Sequence, residues 1–240
     1  MFAILEATLN LLYPKICLGC SNPGAYICAT CLHKSSNINL IQKCHVCGNE
    51  ARLGLTHRDC KDKSYLDGLI YPLVYNKLIR TAIVEGKYNL VSDIFTDFAK
   101  VITQYLQSFY KLSATDSIIT FVPLNKFKQR LRGFNQADLI ARKVAFSLGI
   151  ECSNILERTM NTKTQVGMHE FERQSNLKNV FQVKKLLGPE VLAGKHIYLI
   201  DDIYTTGTTM NECARVLKQG GAQSVTGVVF AKSKEWKMRL

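Results

Sequence analysis

The second half of the chain alternates between short apolar runs and amphipathic stretches. The apolar runs at 118–124, 196–200 and 224–231 are rich in β-branched residues, as buried parallel strands are. Between them, 136–149 and 210–218 carry apolar residues at helical spacing. This alternation predicts an α/β domain in which helices flank a parallel sheet.

The stretch 66–110 extends the pattern toward the N-terminus. Residues 66–76, LDGLIYPLVYN, predict a strand, and two helical faces follow it. The first face is formed by Leu78, Ile79, Ile83 and Val84, and the second by Ile94, Phe95, Phe98, Val101, Ile102 and Tyr105. The first thirteen residues lack a basic segment and include Glu6, which favours a short amphipathic helix over a signal peptide.

Seven of the nine cysteines lie before residue 65, and their spacing predicts zinc binding. Ligands two residues apart let a tight turn place both on one tetrahedral ion. The pairs are Cys17 and Cys20, Cys28 and Cys31, Cys44 and Cys47, and His57 and Cys60. These pairs suit one or two structural zinc ions. Either neighbouring pairs or alternate, crossed pairs could share an ion. His57 is the least certain ligand because His33 and His45 lie nearby in the sequence. We predict a zinc-ribbon module over 14–62 and a second domain over 66–240.

Composition and charge indicate a globular protein with an anionic partner, but they do not identify its function. A chain of 240 residues with 47% hydrophobic residues is long enough for a full core. The net charge of +12 favours an anionic partner such as nucleic acid, a phosphate ligand or a membrane surface. The sequence shows no apolar run near the ~18 residues of a membrane span. We expect a cytoplasmic protein, and peripheral association with the inner membrane stays open.

Residues 196–209, HIYLIDDIYTTGTT, carry the most specific chemistry. An apolar strand is expected to end at Asp201 and Asp202, and a helix is expected from about Met210. A helix N-terminus attracts phosphate, and two carboxylates suit ribose hydroxyls or magnesium. The phosphate would be held by Thr205, Thr206, Gly207, Thr208 and Thr209. An ordinary strand–turn–helix with an acidic turn is the alternative.

A second candidate site lies in residues 125–136, NKFKQRLRGFNQ, which we expect to form a loop. Its basic residues are Lys126, Lys128, Arg130 and Arg132, and arginine suits phosphate oxygens. Gly133 permits close approach of the backbone. Arg130, Arg132, Gly133 and Asn135 are therefore candidate ligands of a second phosphate group, the alternative being a solvated basic loop.

The 196–209 run resembles the phosphoribosyl-pyrophosphate (PRPP) signature of type I phosphoribosyltransferases. The whole chain resembles the ComF-type proteins of bacterial natural competence, in which a zinc ribbon precedes a phosphoribosyltransferase-like domain. The resemblance rests on VPL at 122–124, RGFNQ at 132–136 and DD-x-x-TTG-x-T at 201–209. Further matches, with local shifts, are Thr162, Gln165, Glu172, Arg173 and Asn176. His57 departs from the family, where cysteine is more usual.

The resemblance implies a specific set of roles. Asp201 and Asp202 would contact the ribose of PRPP, which binds together with magnesium. The threonine turn would hold the 5′-phosphate of PRPP, and the 125–136 segment would hold its pyrophosphate. The family implies a cytoplasmic role in uptake of single-stranded DNA, with a helicase-like partner. The segment 160–178 would cover the site and offers Lys163, His169 and Arg173. A non-catalytic adaptor for DNA or a partner protein is the main alternative, and a nucleotide-salvage transferase a more distant one.

Overall fold

A six-stranded parallel sheet forms the centre of the molecule. The computed structural model describes residues 14–35, 41–89, 91–159, 180–185 and 188–233. The strands are β1 (Gly68–Ile70), β2 (Leu73–Val74), β3 (Ser117–Phe121), β4 (Glu151–Cys152), β5 (Leu156–Arg158), β6 (Phe181–Val183), β7 (His196–Tyr204) and β8 (Ser224–Lys232). The sheet has the order β1-β8-β7-β3-β4, with β2 also on β8, and β5 pairs with β6 in a separate antiparallel ribbon. The predicted parallel α/β architecture is confirmed.

Helices cover both faces of this sheet. In the described part of the chain they are α1 (Ala29–Ser35), α2 (Lys77–Tyr88), α3 (Asp93–Phe109), α4 (Lys126–Arg132), α5 (Gln136–Leu148) and α6 (Thr208–Gln219). Short 3₁₀ turns occupy Arg52–Gly54, Arg58–Lys63 and Pro189–Val191. Helices α2, α3 and α5 share one hydrophobic core, and α6 belongs to the other.

Neighbouring residues of the central strands belong to opposite cores. On β3, Ile118 belongs to the core under α6, whereas Ile119 belongs to the core under α3 and α5. On β7, Leu199 belongs to the core under α6 and Ile200 to the core under α3 and α5. Because both faces are covered, the strands are continuous apolar runs rather than alternating ones.

The predicted strand at 66–76 was only partly right. It is two short strands, β1 and β2, which both run parallel to β8 and are separated at Tyr71 and Pro72. Proline has no backbone N–H group, so it cannot donate to the hydrogen-bond ladder. The edge therefore breaks at this position.

The cysteine-rich region packs against the sheet and its helices. Leu18, Tyr26 and Leu32 contact the core that α3 and α5 share. Gln42 Nε2 donates to the Tyr71 carbonyl at 3.1 Å and to Tyr105 Oη at 2.7 Å. Polar and apolar contacts together thus hold this region in place.

Two sequence-based predictions fall outside the described residues. They are the amphipathic helix over the first thirteen residues and the cover over 160–178, with Lys163, His169 and Arg173. Within the described ranges, none of the helices combines the length and the apolar character needed to cross a membrane.

Candidate functional site

Strand β7 carries the two aspartates, but it does not end at them. The ladder with β8 continues past Asp201, which lies opposite Val229, to Tyr204, which lies opposite Lys232. The prediction that the strand stops at the acidic pair was therefore wrong. The pairing with β8 fixes the backbone of both carboxylates, so they are held on a strand rather than in a loop.

The turn after β7 depends on Gly207. Helix α6 begins at Thr208, two residues before the predicted start, and Gly207 is its N-cap with a left-handed φ of 77°. A Cβ atom here would collide with the phenol of Tyr204. Thr206 Oγ1 and Thr208 Oγ1 lie 3.0 Å apart and hydrogen bond to each other. Since glycine offers no capping side chain, the first N–H groups of α6 keep their capacity for an anionic ligand.

The two carboxylates have different surroundings. Asp202 is buried, with 5% of its surface exposed, and pairs with Lys87 Nζ at 2.5 Å. Asp201 Oδ1 accepts a hydrogen bond of 2.8 Å from the Asp202 backbone N–H. Burial, and then the charge of Asp202, raise the pKa of Asp201 well above its ordinary value, while Lys87 opposes the shift. A second negative charge is therefore unfavourable beside Asp202, and a cation at this position would stabilise the ionised form of Asp201.

Lys87 is held charged by this contact. Burial alone would lower its pKa, but Asp202 raises it above the ordinary value. Lys87 lies in the last turn of α2, next to Tyr88. The guanidinium of Arg132 lies over the Tyr88 ring, 5.2 Å from the ring centre. The end of α2 therefore joins the acidic side of the site to the basic side.

The predicted basic loop is mostly a helix. Lys126–Arg132 form α4, which Asn125 caps by accepting from the Phe127 N–H at 2.8 Å and which ends at Gly133 in a left-handed conformation. Residues four apart lie on one face of a helix, whereas residues two apart do not. The four basic residues therefore separate into two groups.

Lys128 and Arg132 share a cavity with the aspartates, whereas Arg130 does not. Lys128 and Arg132 line the same cavity as Asp201 and Asp202. Arg130 and Gly133 line a separate pocket with Lys126. The structure thus places Arg132 beside the acidic pair and Arg130 and Gly133 away from it.

Asn135 lines the cavity, but its side chain has a structural role there. Its Nδ2 donates to the Val122 carbonyl at 3.0 Å, and its Oδ1 accepts from the Ala137 N–H at 3.1 Å. It therefore caps α5 and ties that cap to the end of β3. The side chain predicted as a phosphate ligand thus helps to fix the shape of the cavity lining.

The cavity between these elements has a volume of about 280 Å³. Its lining includes Asp201, Asp202 and Thr209, called here the acidic wall, and Lys128, Arg132 and Arg158, called here the basic wall. Burial, followed by repulsion from Arg132 and Arg158, lowers the pKa of Lys128. Crowded cations of this kind are stabilised by an anion, so the basic wall is suited to phosphate groups.

Sequence reasoning missed two charged residues of this cavity. Lys87 lies in the last turn of an amphipathic helix, where a lysine normally indicates a solvated face, and no motif marks it. Arg158 lies on β5, and its guanidinium is 5.4 Å from the ring centre of Phe181 on β6. Both enter the site only through tertiary packing.

The cysteine pairs form two clusters, grouped in sequence rather than crossed. In each cluster all ligand atoms lie within 4.8 Å of one another, and each could hold a metal ion. The clusters are Cys17, Cys20, Cys28 and Cys31, and Cys44, Cys47, His57 and Cys60. Burial opposes ionisation of Cys17, but N–H groups led by that of Cys28 lower its pKa to about 6. Thiolates stabilised by backbone N–H groups suit zinc.

His57 fits a metal ligand better than its sequence context indicates. Its Nδ1 lies 3.2 Å from Cys47 Sγ, and its Nε2 donates to the Glu50 carbonyl at 3.0 Å. A backbone acceptor for the second nitrogen is typical of metal-binding histidines. His33 is exposed and His45 is buried outside the cluster, so neither competes with His57. Cys213 is fully buried and Cys152 partly buried, as expected of core residues.

Comparison with known proteins agrees with this geometry. The family model for the phosphoribosyl transferase domain matches residues 129–239. Competence protein F of Haemophilus influenzae is 35% identical over 117 residues, which cover 48% of this chain and 50% of that protein. The match therefore spans about half the length of that relative. Competence protein ComFC of Bacillus subtilis is 27% identical over 220 residues, or 88% of this chain and 86% of that protein.

A solved structure described as an allosteric regulatory enzyme of purine biosynthesis is also similar. It shares 18% identity and a TM-score of 0.38 over 57% of this chain and 26% of that chain, a likeness too weak to support a conclusion of its own. The parallel sheet and the family model define a type I phosphoribosyltransferase-like domain. Together with the competence relatives, they support a ComF-type protein with such a domain.

Proposed function

We propose that the chain binds PRPP with magnesium in the cavity between β7 and α4. The observation that carries this proposal is the cavity itself, whose lining brings two aspartates on a strand together with Lys128, Arg132 and Arg158. PRPP has a ribose diol between a phosphate and a pyrophosphate. It therefore needs carboxylates for the hydroxyl groups and cationic side chains for the phosphate groups. The family model for phosphoribosyl transferase domains supports the same ligand class.

Each part of the cavity has a distinct role in this proposal. Asp201 and Asp202 hold the ribose hydroxyls and offer oxygen ligands to magnesium, which would neutralise pyrophosphate charge. The N-terminus of α6 and the threonine turn, of which Thr209 lines the cavity, hold the 5′-phosphate. The basic wall, with Lys128 and Arg132, holds the pyrophosphate.

If the protein turns over PRPP, these residues act by positioning and electrostatics. The pyrophosphate would leave C1 of the ribose, and positive charge would develop on the sugar as the bond breaks. The cationic wall stabilises the leaving group, and the carboxylates hold the ribose in place. This is the chemistry of a glycosyl transfer from PRPP to an acceptor.

The cellular role we propose is cytoplasmic handling of single-stranded DNA during natural competence. The net charge of +12 supports a polyanionic partner, and one relative is named competence protein F and others DNA utilization protein YhgH. Binding through phosphate contacts weakens as salt rises. Titration of a fluorescent single-stranded oligonucleotide at several salt concentrations tests this, and an affinity that does not change with salt would count against it.

A non-catalytic adaptor is the second candidate function. The observation that favours it is the Lys87–Asp202 ion pair, because it occupies a carboxylate that a transferase would use for ribose. Calorimetric titration with PRPP and magnesium, followed by measurement of pyrophosphate release with candidate acceptors, separates the two. Binding with release supports a transferase, binding without release supports an adaptor, and no binding refutes the PRPP proposal.

A further inference from the structure

The two cysteine clusters contact different parts of the molecule. The first cluster is attached to α3, where Lys15 pairs with Asp93 at 3.0 Å and the Tyr26 N–H donates to Asp97 at 3.4 Å. The neighbours of the second cluster also contact the end of β7 and the first turns of α6. These elements flank the proposed phosphate turn at 205–209.

One contact runs through His45 and Tyr204. His45 follows the cluster residue Cys44, and its ring meets the ring of Tyr204 edge-on at 6.0 Å between centres. The Tyr204 phenol fills the space beside Gly207 that a side chain would need. A displacement of His45 would therefore be transmitted to Gly207 through a packed ring.

A second contact runs through Ser64 and Asn211. Ser64 Oγ donates to Asn211 Oδ1 at 2.9 Å, and the Tyr65 N–H donates to the same oxygen at 2.7 Å. Because the only hydroxyl hydrogen of Ser64 is used there, His45 Nε2 donates to Ser64 Oγ at 2.8 Å. Asn211 in turn donates its backbone N–H to the Gly207 carbonyl at 2.8 Å. Both contacts thus end at Gly207.

We infer that the second cluster, when filled with zinc, positions the 205–209 turn through Tyr204, Ser64 and Asn211 and so increases the affinity for the phosphate of PRPP. This inference rests on the proposed function. The three linking residues are positioning residues, since they hold the turn and do not contact the ligand. A turn that is already ordered costs less conformational entropy when it binds phosphate. Zinc supplies the order by fixing four ligands in one geometry.

The experiment uses full-length, zinc-loaded protein and variants outside the metal ligands. Asn211→Ala removes the acceptor for both Ser64 and Tyr65, and it raises helix propensity, so any loss is not due to a weaker α6. We expect the dissociation constant for PRPP with magnesium to rise about tenfold. Ser64→Ala should weaken binding less, and Ser64→Thr, which restores the hydroxyl, should rescue it.

The first cluster provides the matched control. Lys15→Ala and Asp97→Ala each remove one contact between that cluster and α3, and the inference predicts unchanged PRPP affinity for both. Equal affinity of wild type and Asn211→Ala would overturn the inference while the proposed function stands. Equal losses in the control variants would also overturn it, because the effect would then be general.

A second measurement separates the inference from the proposed function. Amide hydrogen exchange across 205–209 is compared without PRPP in zinc-loaded wild type, Asn211→Ala and Asp97→Ala. Faster exchange only in Asn211→Ala supports the coupling, and equal exchange in all three proteins overturns it. If wild-type protein fails to bind PRPP, the proposed function falls, and the exchange result still decides whether the turn is coupled to the cluster.

Discussion

The two walls of the candidate site are built in different ways. The acidic wall comes from one continuous stretch, Asp201 to Thr209, in which a strand, a turn and a helix follow one another. The basic wall is assembled from separate elements, with Lys128 and Arg132 on α4 and Arg158 on β5. Lys87 on α2 bridges the two walls through its ion pair with Asp202. A site built from one segment can be recognised in a sequence, whereas a site assembled by packing cannot.

The strongest test of this comparison removes the acidic wall. In Asp201→Asn with Asp202→Asn, the side chains keep their size but lose their negative charge. We expect PRPP affinity in the presence of magnesium to fall at least about a hundredfold, since two charge-assisted contacts are lost. Calorimetric titration measures the change.

The control for this variant is its metal content and its fold. Zinc measured by elemental analysis should remain at the wild-type level, because both cysteine clusters lie outside the acidic wall. Wild-type PRPP affinity in a folded double variant would refute the assignment of the aspartates.

The next largest effect compares the two glycines that flank the walls. Gly207 and Gly133 both have positive φ, at 77° and 76°. A Cβ at Gly207 would meet Tyr204, whereas a Cβ at Gly133 would meet open space. Gly133→Ala should therefore cost about 1 kcal/mol of unfolding free energy from backbone strain alone. Gly207→Ala should cost about 3 kcal/mol, because overpacking adds to the strain.

Urea unfolding of both variants measures this difference. Equal losses would show that Tyr204 moves aside at little cost and that only the backbone conformation demands glycine. The contrast also explains a limit of sequence reading. The glycine after the double threonine could be recognised as a turn residue, but its packing against Tyr204 depends on how far β7 extends.

The fold was largely predictable because its signals are local and repeated. The apolar runs of β3, β7 and β8 are continuous, since helices cover both faces of the sheet. The cysteine pairs were equally local, and their spacing indicated one or two zinc sites. The spacing allows either neighbouring or crossed pairs to share an ion. Only the structure shows that neighbouring pairs form each cluster.

The basic wall was less predictable for a physical reason. Asn125 and Gly133 are ordinary turn residues, and the run of charges between them indicated a phosphate-binding loop, with a solvated loop as the alternative. In the structure they begin and end α4, so the helical period decides which charges face the cavity. Lys87 had no local signal, since only the packing of α2 brings it to Asp202.

Lys87→Met is the third test, and it probes the bridge between the walls. In the wild type the side chain of Lys87 is 20% exposed and that of Asp202 is 7% exposed. The variant therefore leaves a nearly buried carboxylate without its partner. We expect a loss of about 2 kcal/mol of unfolding free energy, below the value for a fully buried pair because water still reaches Lys87.

A double-mutant cycle with Asp202→Asn controls this measurement. If the two side chains stabilise each other, the double variant should be more stable than the sum of the single losses implies. Strict additivity would contradict the ion pair as a stabilising contact in the ligand-free protein.

The smallest expected effect separates the two faces of α4. Arg132 is partly buried beside Tyr88 and lines the cavity with the aspartates, whereas Arg130 is exposed and lines another pocket. Arg132→Ala should weaken PRPP binding about tenfold, which is the loss expected for one charged hydrogen bond to a phosphate. Arg130→Ala removes the same charge from the same helix but should leave the affinity within about twofold, because surface charges act weakly at a distance. Titrating both variants at one salt concentration makes the comparison direct. Equal losses would mean that the net charge of α4, rather than the side chain that faces the cavity, determines binding.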